Sequence, residues 1–412
     1  MSFVKTNYKL FSVFGIEIEY MIVENQSLKP FPIADEVIKI LNNGYITNEV
    51  EIDDIAVSNE LALHVIELKT NGPTKDLNNL DKSFLKVIHK IQKILNTFDA
   101  KLLPTGMHPF FTPDASLKLW PHSNNEIYDL YNKIFNCQGH GWGNLQSVHI
   151  NLPFSNEEEF VILHEIIRLI LPIIPALTAS TPFVSGKTTN FADNRLLYYG
   201  KNQSMLPCIS GRIIPEAVSS YQEYQDKILQ PMYNSIAPYD EEGILQHEWL
   251  NSRGAIARFE RNAIEIRIVD SQESALMDVA CIILIVHALK DFFVKKLKTA
   301  KFKYTTEELE IIYKDCLKNG AKTIISNDNY LDFLGFNNDL NGIPEARNIW
   351  QYIYENIKES IPNEYHKVIK LHLESGNLSD RLIDDYENNN DLVKLYNKLH
   401  VCLLDNKIFR YE

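Results

Sequence analysis

Gly15-Ile16-Glu17-Ile18-Glu19-Tyr20 sets two carboxylates against three apolar side chains in strict alternation. In an extended chain successive side chains point to opposite faces, so Glu17 and Glu19 share one face and Ile16, Ile18 and Tyr20 the other. Alone, the stretch reads as a half-buried strand with a wet face. Recurrence sharpens that reading. Val148-His149-Ile150 places an imidazole between aliphatic neighbours, and Ile264-Glu265-Ile266-Arg267-Ile268 puts a carboxylate and a guanidinium on one face with three isoleucines behind. A fourth segment, 59–70, adds Glu60 and Glu67. Their separation is odd, so one unbroken strand would point them opposite ways. Glu60 therefore sits in a preceding turn, beyond a bulge, or outside the cluster.

Working outward, strands are predicted at 14–23, 65–69, 148–152 and 263–269, each short and partly β-branched or aromatic. Helices are predicted at 80–98, with Asp81 near the start, and at 157–171, with Ser155 as cap and three glutamates in the first turn. From about residue 275 the pattern is almost wholly helical and rich in Asn, Asp and Lys. Strands scattered between long helices, without regular βαβ spacing, predict an α+β fold with a curved, mainly antiparallel sheet. Two apolar stretches read as buried helices and not as membrane spans. The first, 161–179, is interrupted by His164, Glu165, Arg168, Pro172 and Pro175, and the second, 279–289, is well short of the roughly 20 residues a span needs.

The chain has 412 residues, with 41 Lys plus Arg against 54 Asp plus Glu and a net charge of −13. That balance argues against a protein that lives on nucleic-acid phosphate. Five scattered cysteines, odd in number and without a CxxC pair, fit reduced thiols. The N-terminus has no apolar run of signal length before Glu17, so a cytoplasmic location is expected.

If the alternating segments share a sheet, its polar face carries Glu17, Glu19, Glu67 and Glu265, together with His149, Arg267 and, by one of the routes above, Glu60. Several carboxylates a few ångströms apart cannot all ionise unless cations lie between them. Protonation is one escape and a divalent ion the other. An oxygen-rich set with one imidazole suits Mg²⁺ or Mn²⁺. Mg²⁺ takes one or two carboxylates plus phosphate oxygens, so a row of glutamates implies more than one ion and a nucleotide, and hence phosphoryl transfer.

At this point an ordered set of motifs resembles a known family. GIEIEY at 15–20, ELALHVIELKTNGP at 60–73, PTGMHPF at 104–110, QSVHINLPF at 146–154, ALTASTPFVSGKTTNFADNR at 176–195 and AIEIRIVD at 263–270 resemble the bacterial-type glutamate–cysteine ligase and carboxylate–amine ligase family, as does GNLSDRL at 376–382. The resemblance implies a glutamine synthetase-like catalytic fold; with no internal repeat and no Gly/Ser- or Pro-rich linker to cut the chain, a single catalytic domain over 1–412 is expected, with core motifs in 13–275 and a mainly helical part over 276–412. It implies an ATP- and Mg²⁺-dependent ligase acting on small molecules. The γ-carboxylate of L-glutamate is phosphorylated, and an amine such as L-cysteine then displaces phosphate, as in glutathione biosynthesis. Position by position, Glu17, Glu19, Glu60, Glu67, His149 and Glu265 match metal-holding positions, and Arg267 matches the arginine facing the phosphates. Arg195, in FADNR, matches an arginine near the substrate carboxylate. Arg258 and Arg253 stand for phosphate or substrate contacts or for surface residues. The family position filled by Glu60 is often an aspartate or a histidine–glutamate pair, and the wording of 253–262 also departs from the usual pattern. Alternatives are the same chemistry with another amine, a metal-dependent hydrolase, and a nucleotide binder without turnover. No nucleic-acid or membrane partner is implied, and a homo-oligomer is left open.

Other signals are set aside. Gly139-His140-Gly141-Trp142-Gly143-Asn144 lacks the lysine and Ser/Thr of a phosphate loop and reads as a loop leading into the His149 strand, able to lie over the active site. His108 fits either a fixed turn or a site position. Cys137 reads as a spare buried thiol, His164 and His287 as core or edge residues, and 388–390 as a loop between terminal helices.

Overall fold

The computed structural model describes residues 8–296, 304–336 and 344–410; the segment at the N-terminus that bears on location, and 297–303 and 337–343 of the predicted helical part, lie outside the described residues. The alternating segments do become strands of one sheet. These are β1 (Gly15–Glu24), β2 (Glu49–Ile52), β3 (Ile55–Asn59), β4 (Val65–Thr70), β5 (Ala100–Leu103), β6 (Ser147–Pro153), β9 (Ala255–Arg258) and β10 (Ala263–Asp270); β7 (Phe183–Val184) and β8 (Lys187–Thr188) form a separate small hairpin. The sheet runs β2-β3-β4-β1-β6-β10-β9, with β5 also on β1, and every pairing is antiparallel. Strand β1 is central because its side chains suit two environments at once.

Register fixes which residues share a face. Glu19 lies opposite Glu67 and Glu17 opposite Lys69, while on the other edge Glu17 lies opposite His149. Glu265 in turn lies opposite Asn151. The reverse face, with Ile16, Ile18, Tyr20, Ile66, Leu68, Val148, Ile150, Ile264 and Ile266, is buried. Each such aliphatic side chain is worth about 1.5–3 kcal/mol when fully buried, enough to forbid a one-residue slip that would exchange the two faces. Helix Ala275–Lys296 packs against helices Leu80–Leu95 and Glu157–Ile170 to close the core.

Strand β10 is irregular. Between Ile266 and Val269 its register against β6 shifts by one residue, after which Asp270 lies opposite Ser147. This bulge brings Asp270 to the face that carries Ser147 and His149, although Asp270 is out of phase with Glu265 in a regular strand.

Three sequence expectations need correction. Asn156, not Ser155, caps the helix Glu157–Ile170, because Asn156 Oδ1 accepts from Glu159 N while Ser155 N donates to the Glu159 carboxylate. Residues 388 and 389 are helical, ending the helix Leu378–Asn389, and Asn390 caps it in the left-handed conformation that asparagine tolerates. The predicted helix at 80–98 stops at Leu95 and ends in a tight turn, Asn96–Phe98. The stretch Glu157–Thr178 is long and apolar enough by composition to cross a membrane, but 83% of its most apolar 18-residue window is buried within the fold. Beyond Asp270 the described residues form helices and loops, as the sequence predicts.

Candidate active site

The wet face of the sheet floors a cleft of about 470 Å³. A second cavity of about 450 Å³ adjoins it and shares Glu17, Lys69 and Arg261 with it. All nine residues singled out from sequence, Glu17, Glu19, Glu60, Glu67, His149, Arg195, Arg258, Glu265 and Arg267, border the first cleft. Strand alternation delivers most of them. Glu60 arrives by the turn between β3 and β4.

The acidic part centres on Glu67. One ligand atom each from Glu17, Glu67 and His149 lie within 4.8 Å of one another, and so do those of Glu19, Glu60 and Glu67. Serine hydroxyls hold the ends: Ser58 Oγ donates to Glu67 Oε1 at 2.7 Å, and Ser147 donates to Glu19 through N at 2.8 Å and Oγ at 3.0 Å. His149 bridges the row, with Nδ1 2.9 Å from Glu17 Oε2 and Nε2 2.9 Å from Ser147 Oγ.

Burial and mutual repulsion set the charges. Burial, reinforced by Glu17 and Glu19, lifts the Glu67 carboxyl to about 7 against the pull of Lys69 and Ser58. Burial, then Glu19 and Glu67, pushes Glu60 well above the carboxylate range. For Glu17, burial raises the pKa, but the hydrogen bond and charge of His149, with Lys69 and Arg261, outweigh it and bring it to about 2. His149 is raised correspondingly, the Glu17 contact overcoming burial. Crowded carboxylates that must take protons when nothing else compensates them are a donor set suited to hard divalent cations. The fit to Mg²⁺ or Mn²⁺ is therefore good for Glu17, Glu19, Glu60, Glu67 and His149.

Glu265 behaves differently. Its carboxylate is gripped by Arg267 Nε at 2.7 Å and Arg258 Nη1 at 3.0 Å, and His149 Nδ1 stands 4.0 Å away. Burial raises its pKa, but Arg267 first, then His149 and Arg258, more than offset that and hold it low. It lies outside both three-ligand groups. The cleft thus divides into an acidic half on β1 and β4 and a basic half on β9 and β10, with Glu17 and His149 at the seam.

Arg195 is buried, and its Nε is ion-paired with Asp270, while its terminal nitrogens reach Arg267 O at 3.4 Å. Asp270 also accepts from Ser180 N at 2.9 Å and Ser180 Oγ at 3.1 Å. Gly106 allows this packing, since a Cβ there would lie 2.9 Å from Asp270 Cγ. Asp270 escaped sequence reasoning because its parity is hidden by the bulge. Ser147 was findable, lying two residues before His149 on the same face.

Several other assignments resolve. Arg253 is neither a phosphate contact nor a surface residue: it is buried and forks onto Glu216 at 2.6 and 2.8 Å. His108 is a turn residue, its Nε2 2.6 Å from Leu28 O and its Nδ1 accepting from Phe111 N at 2.9 Å. Cys137 is a buried free thiol pushed up to about 12 by burial. His164 is a core residue, its pKa lowered to about 3 by burial, then by Arg168 and Arg253. The segment after Gly139 is a short helical turn, His140–Gly143, whose Gly141 and Trp142 border the cleft.

The antiparallel sheet with carboxylates, an imidazole and guanidiniums converging on its wet face, taken with the relatives below, supports an ATP-dependent carboxylate–amine ligase. The chain belongs to glutamate–cysteine ligase family 2, whose profile matches residues 13–396. It is 31% identical over 405 residues to an uncharacterized protein of Archaeoglobus fulgidus, covering 96% of this chain and 99% of that one. It is 22% identical over 281 residues to a protein of Corynebacterium glutamicum provisionally named glutamate–cysteine ligase 2, covering 67% of this chain and 65% of the relative. In fold it is similar to glutamate–cysteine ligase of Francisella tularensis, solved in complex with AMP, with a TM-score of 0.64 at 13% identity over 95% of this chain and 89% of that one.

Proposed function

We propose that the protein joins the γ-carboxylate of glutamate to an amine through an acyl phosphate. The observation that carries this reading is the pair of three-ligand groups sharing Glu67, set beside the arginine pair of Arg258 and Arg267. A γ-carboxylate oxygen attacks the γ-phosphorus of ATP, the bond to the β-phosphate bridging oxygen breaks, and ADP leaves. The amine nitrogen then attacks the acyl carbon, the carbon–oxygen bond to phosphate breaks, and inorganic phosphate leaves. The sum is carboxylate, ammonium and ATP going to amide, ADP, phosphate and one proton.

The chain's own groups divide the work. Arg267 and Arg258, preorganised by Glu265, offer N–H donors to a phosphoryl group that gathers negative charge. Arg195, fixed by Asp270, is the group for a substrate carboxylate. Glu17, Glu19, Glu60, Glu67 and His149 would hold the divalent ions. When bound, Mg²⁺ or Mn²⁺ supplies charge neutralisation between phosphate oxygens and these carboxylates.

The test is ADP release with Mg²⁺, ATP and glutamate, with hydroxylamine added to trap the acyl phosphate as a hydroxamate. Hydroxamate that requires both ATP and glutamate supports the reading. Cleavage of a γ-glutamyl amide by water without ATP use would point to a hydrolase, and no ADP with any carboxylate donor would leave the ligase reading without support.

A further inference from the structure

One end of the cleft carries hydrogen-bonding groups that the fold does not use. Gln203 is 2% exposed, and its Oε1 has no partner among the described residues although its Nε2 donates to Ser252 Oγ at 2.8 Å. Asn202 Oδ1, Tyr199 Oη and Trp142 Nε1 are likewise buried and unpartnered, and all four residues border the cleft. Leaving a polar atom buried and unsatisfied costs on the order of 1–3 kcal/mol, so these four, on one buried and three half-buried residues that all border the cleft, mark the end where a ligand would find partners. Aromatic rings line the same end: the Tyr131 ring centroid is 5.2 Å from that of Trp142 and 6.1 Å from that of Trp249.

The free hydrogen-bonding groups at this end are uncharged, although Arg267, paired with Glu265, lies close enough to Tyr131 and Tyr199 to act on them electrostatically. Two amide oxygens suit the N–H groups of an amine, and ring faces favour both an ammonium and an organic body. The remaining free donors, an indole N–H and a phenol, are neutral. Among the described residues the buried or half-buried cations bordering the cleft are already engaged: in the reading above Arg195 takes the donor's carboxylate and Arg258 and Arg267 face the phosphoryl group, while Lys69 pairs with Glu49 and Glu67. Arg261 is exposed and borders the second cavity as well. If Arg195 takes the donor's carboxylate, no buried cation is left for a carboxylate on the acceptor, and desolvating one without a partner is costly.

We propose that this end is the acceptor subsite, and that the acceptor is a primary amine with an uncharged, preferably aromatic body and no carboxylate beside its nitrogen, in place of an α-amino acid such as cysteine. This rests on the ligase reading above and names its second substrate.

The test uses the full chain with ATP, Mg²⁺ and glutamate. Hydroxamate formation is measured first, because hydroxylamine is small enough to intercept the acyl phosphate without filling the subsite. Then kcat/KM is compared within pairs differing by one carboxylate: phenethylamine and phenylalanine, tyramine and tyrosine, cysteamine and cysteine. The amine should exceed its amino acid in each pair by at least about tenfold, the ratio that roughly 1.4 kcal/mol supplies. Gln203→Met and Trp249→Leu should raise the KM for the amine by about tenfold while the KM for ATP moves much less. Hydroxamate formation together with an amino acid matching or beating its amine, or with every amine inert, overturns this inference alone. Equal rises in both KM values would also overturn it, by marking a merely structural role. Absence of hydroxamate overturns the ligase reading and this inference with it.

Discussion

Replacing Glu67 with Gln should make the metal-free protein more stable at alkaline pH and at the same time end its activity. Glu67 is buried, belongs to both three-ligand groups and is crowded by Glu17 and Glu19, so burial first and those neighbours second raise its carboxyl from 4.5 to about 7. At alkaline pH, ionising it in the fold costs about 3 kcal/mol relative to the unfolded chain, since each tenfold weakening of an acid is worth about 1.4 kcal/mol. The sign follows from proton counting. Between about pH 4.5 and 7 the folded state holds more protons than the unfolded one, so wild-type stability is full below about 4.5 and is lost as pH climbs through about 7. Glutamine has no such dependence and keeps an oxygen for Ser58 Oγ. It loses the 3.3 Å ion pair with Lys69, but Lys69 retains Glu49 at 2.8 Å.

The assay is urea unfolding in EDTA at pH 5 and 8.5, repeated at 8.5 with Mg²⁺. E67Q should match wild type at pH 5 to within about 1 kcal/mol and exceed it at 8.5 by about 2–3 kcal/mol. Mg²⁺ should then stabilise wild type and leave E67Q almost unmoved, because a ligand stabilises only the state that binds it. Glutamate-dependent ADP formation should be lost. If E67Q is less stable than wild type at pH 8.5 in EDTA, or gains as much from Mg²⁺, the crowded-carboxylate account is wrong.

Glu17→Gln and Glu265→Gln should each abolish ATP-dependent phosphate release with circular dichroism unchanged; full turnover in both would defeat the site. Gly106→Ala should push on Asp270, whose Cγ would lie 2.9 Å from the new Cβ, and so misplace Arg195. Its signature is a glutamate KM raised about tenfold with a smaller change in that for ATP, as expected when about 1–2 kcal/mol of binding to one substrate is lost. At Gly141 a Cβ would lie 1.6 Å from Asn202 Oδ1, so Gly141→Ala should raise the KM for the amine while ATP- and glutamate-dependent hydroxamate formation persists.

The alternating strands were legible because period-two patterning is a local signal, and β1, β4, β6 and β10 lie within one or two residues of their predicted bounds. The sheet's antiparallel character followed from the lack of βαβ spacing. The residues that alternation could not place are the ones delivered by irregular backbone. Glu60 reaches the cleft from a turn, one of the routes its odd separation from Glu67 leaves open, while the bulge that turns Asp270 toward Arg195 leaves no mark in residue parity. The amide oxygens of Asn202 and Gln203 were invisible for another reason: they follow a short helix, Asn194–Tyr199, in a turn-rich segment whose approach to Trp142 is purely tertiary.

The split of charge across the sheet explains why Glu265 and Glu67, both buried carboxylates on one face, are not interchangeable. Glu67 faces other carboxylates and is unstable as an anion until a cation arrives. Glu265 faces two guanidiniums and is a stable anion already, so in the proposed function its part is to hold the arginines. Arg267 Nε reaches one oxygen of Glu265 and Arg258 Nη1 the other, and a planar guanidinium can hold such a contact while turning its remaining N–H groups elsewhere, which an ammonium cannot reproduce. Arg267→Lys should therefore keep the charge yet lose the alignment with Glu265. A lysine here that retained full kcat would mean that bulk positive charge, and not a fixed donor array, is what the phosphoryl group requires.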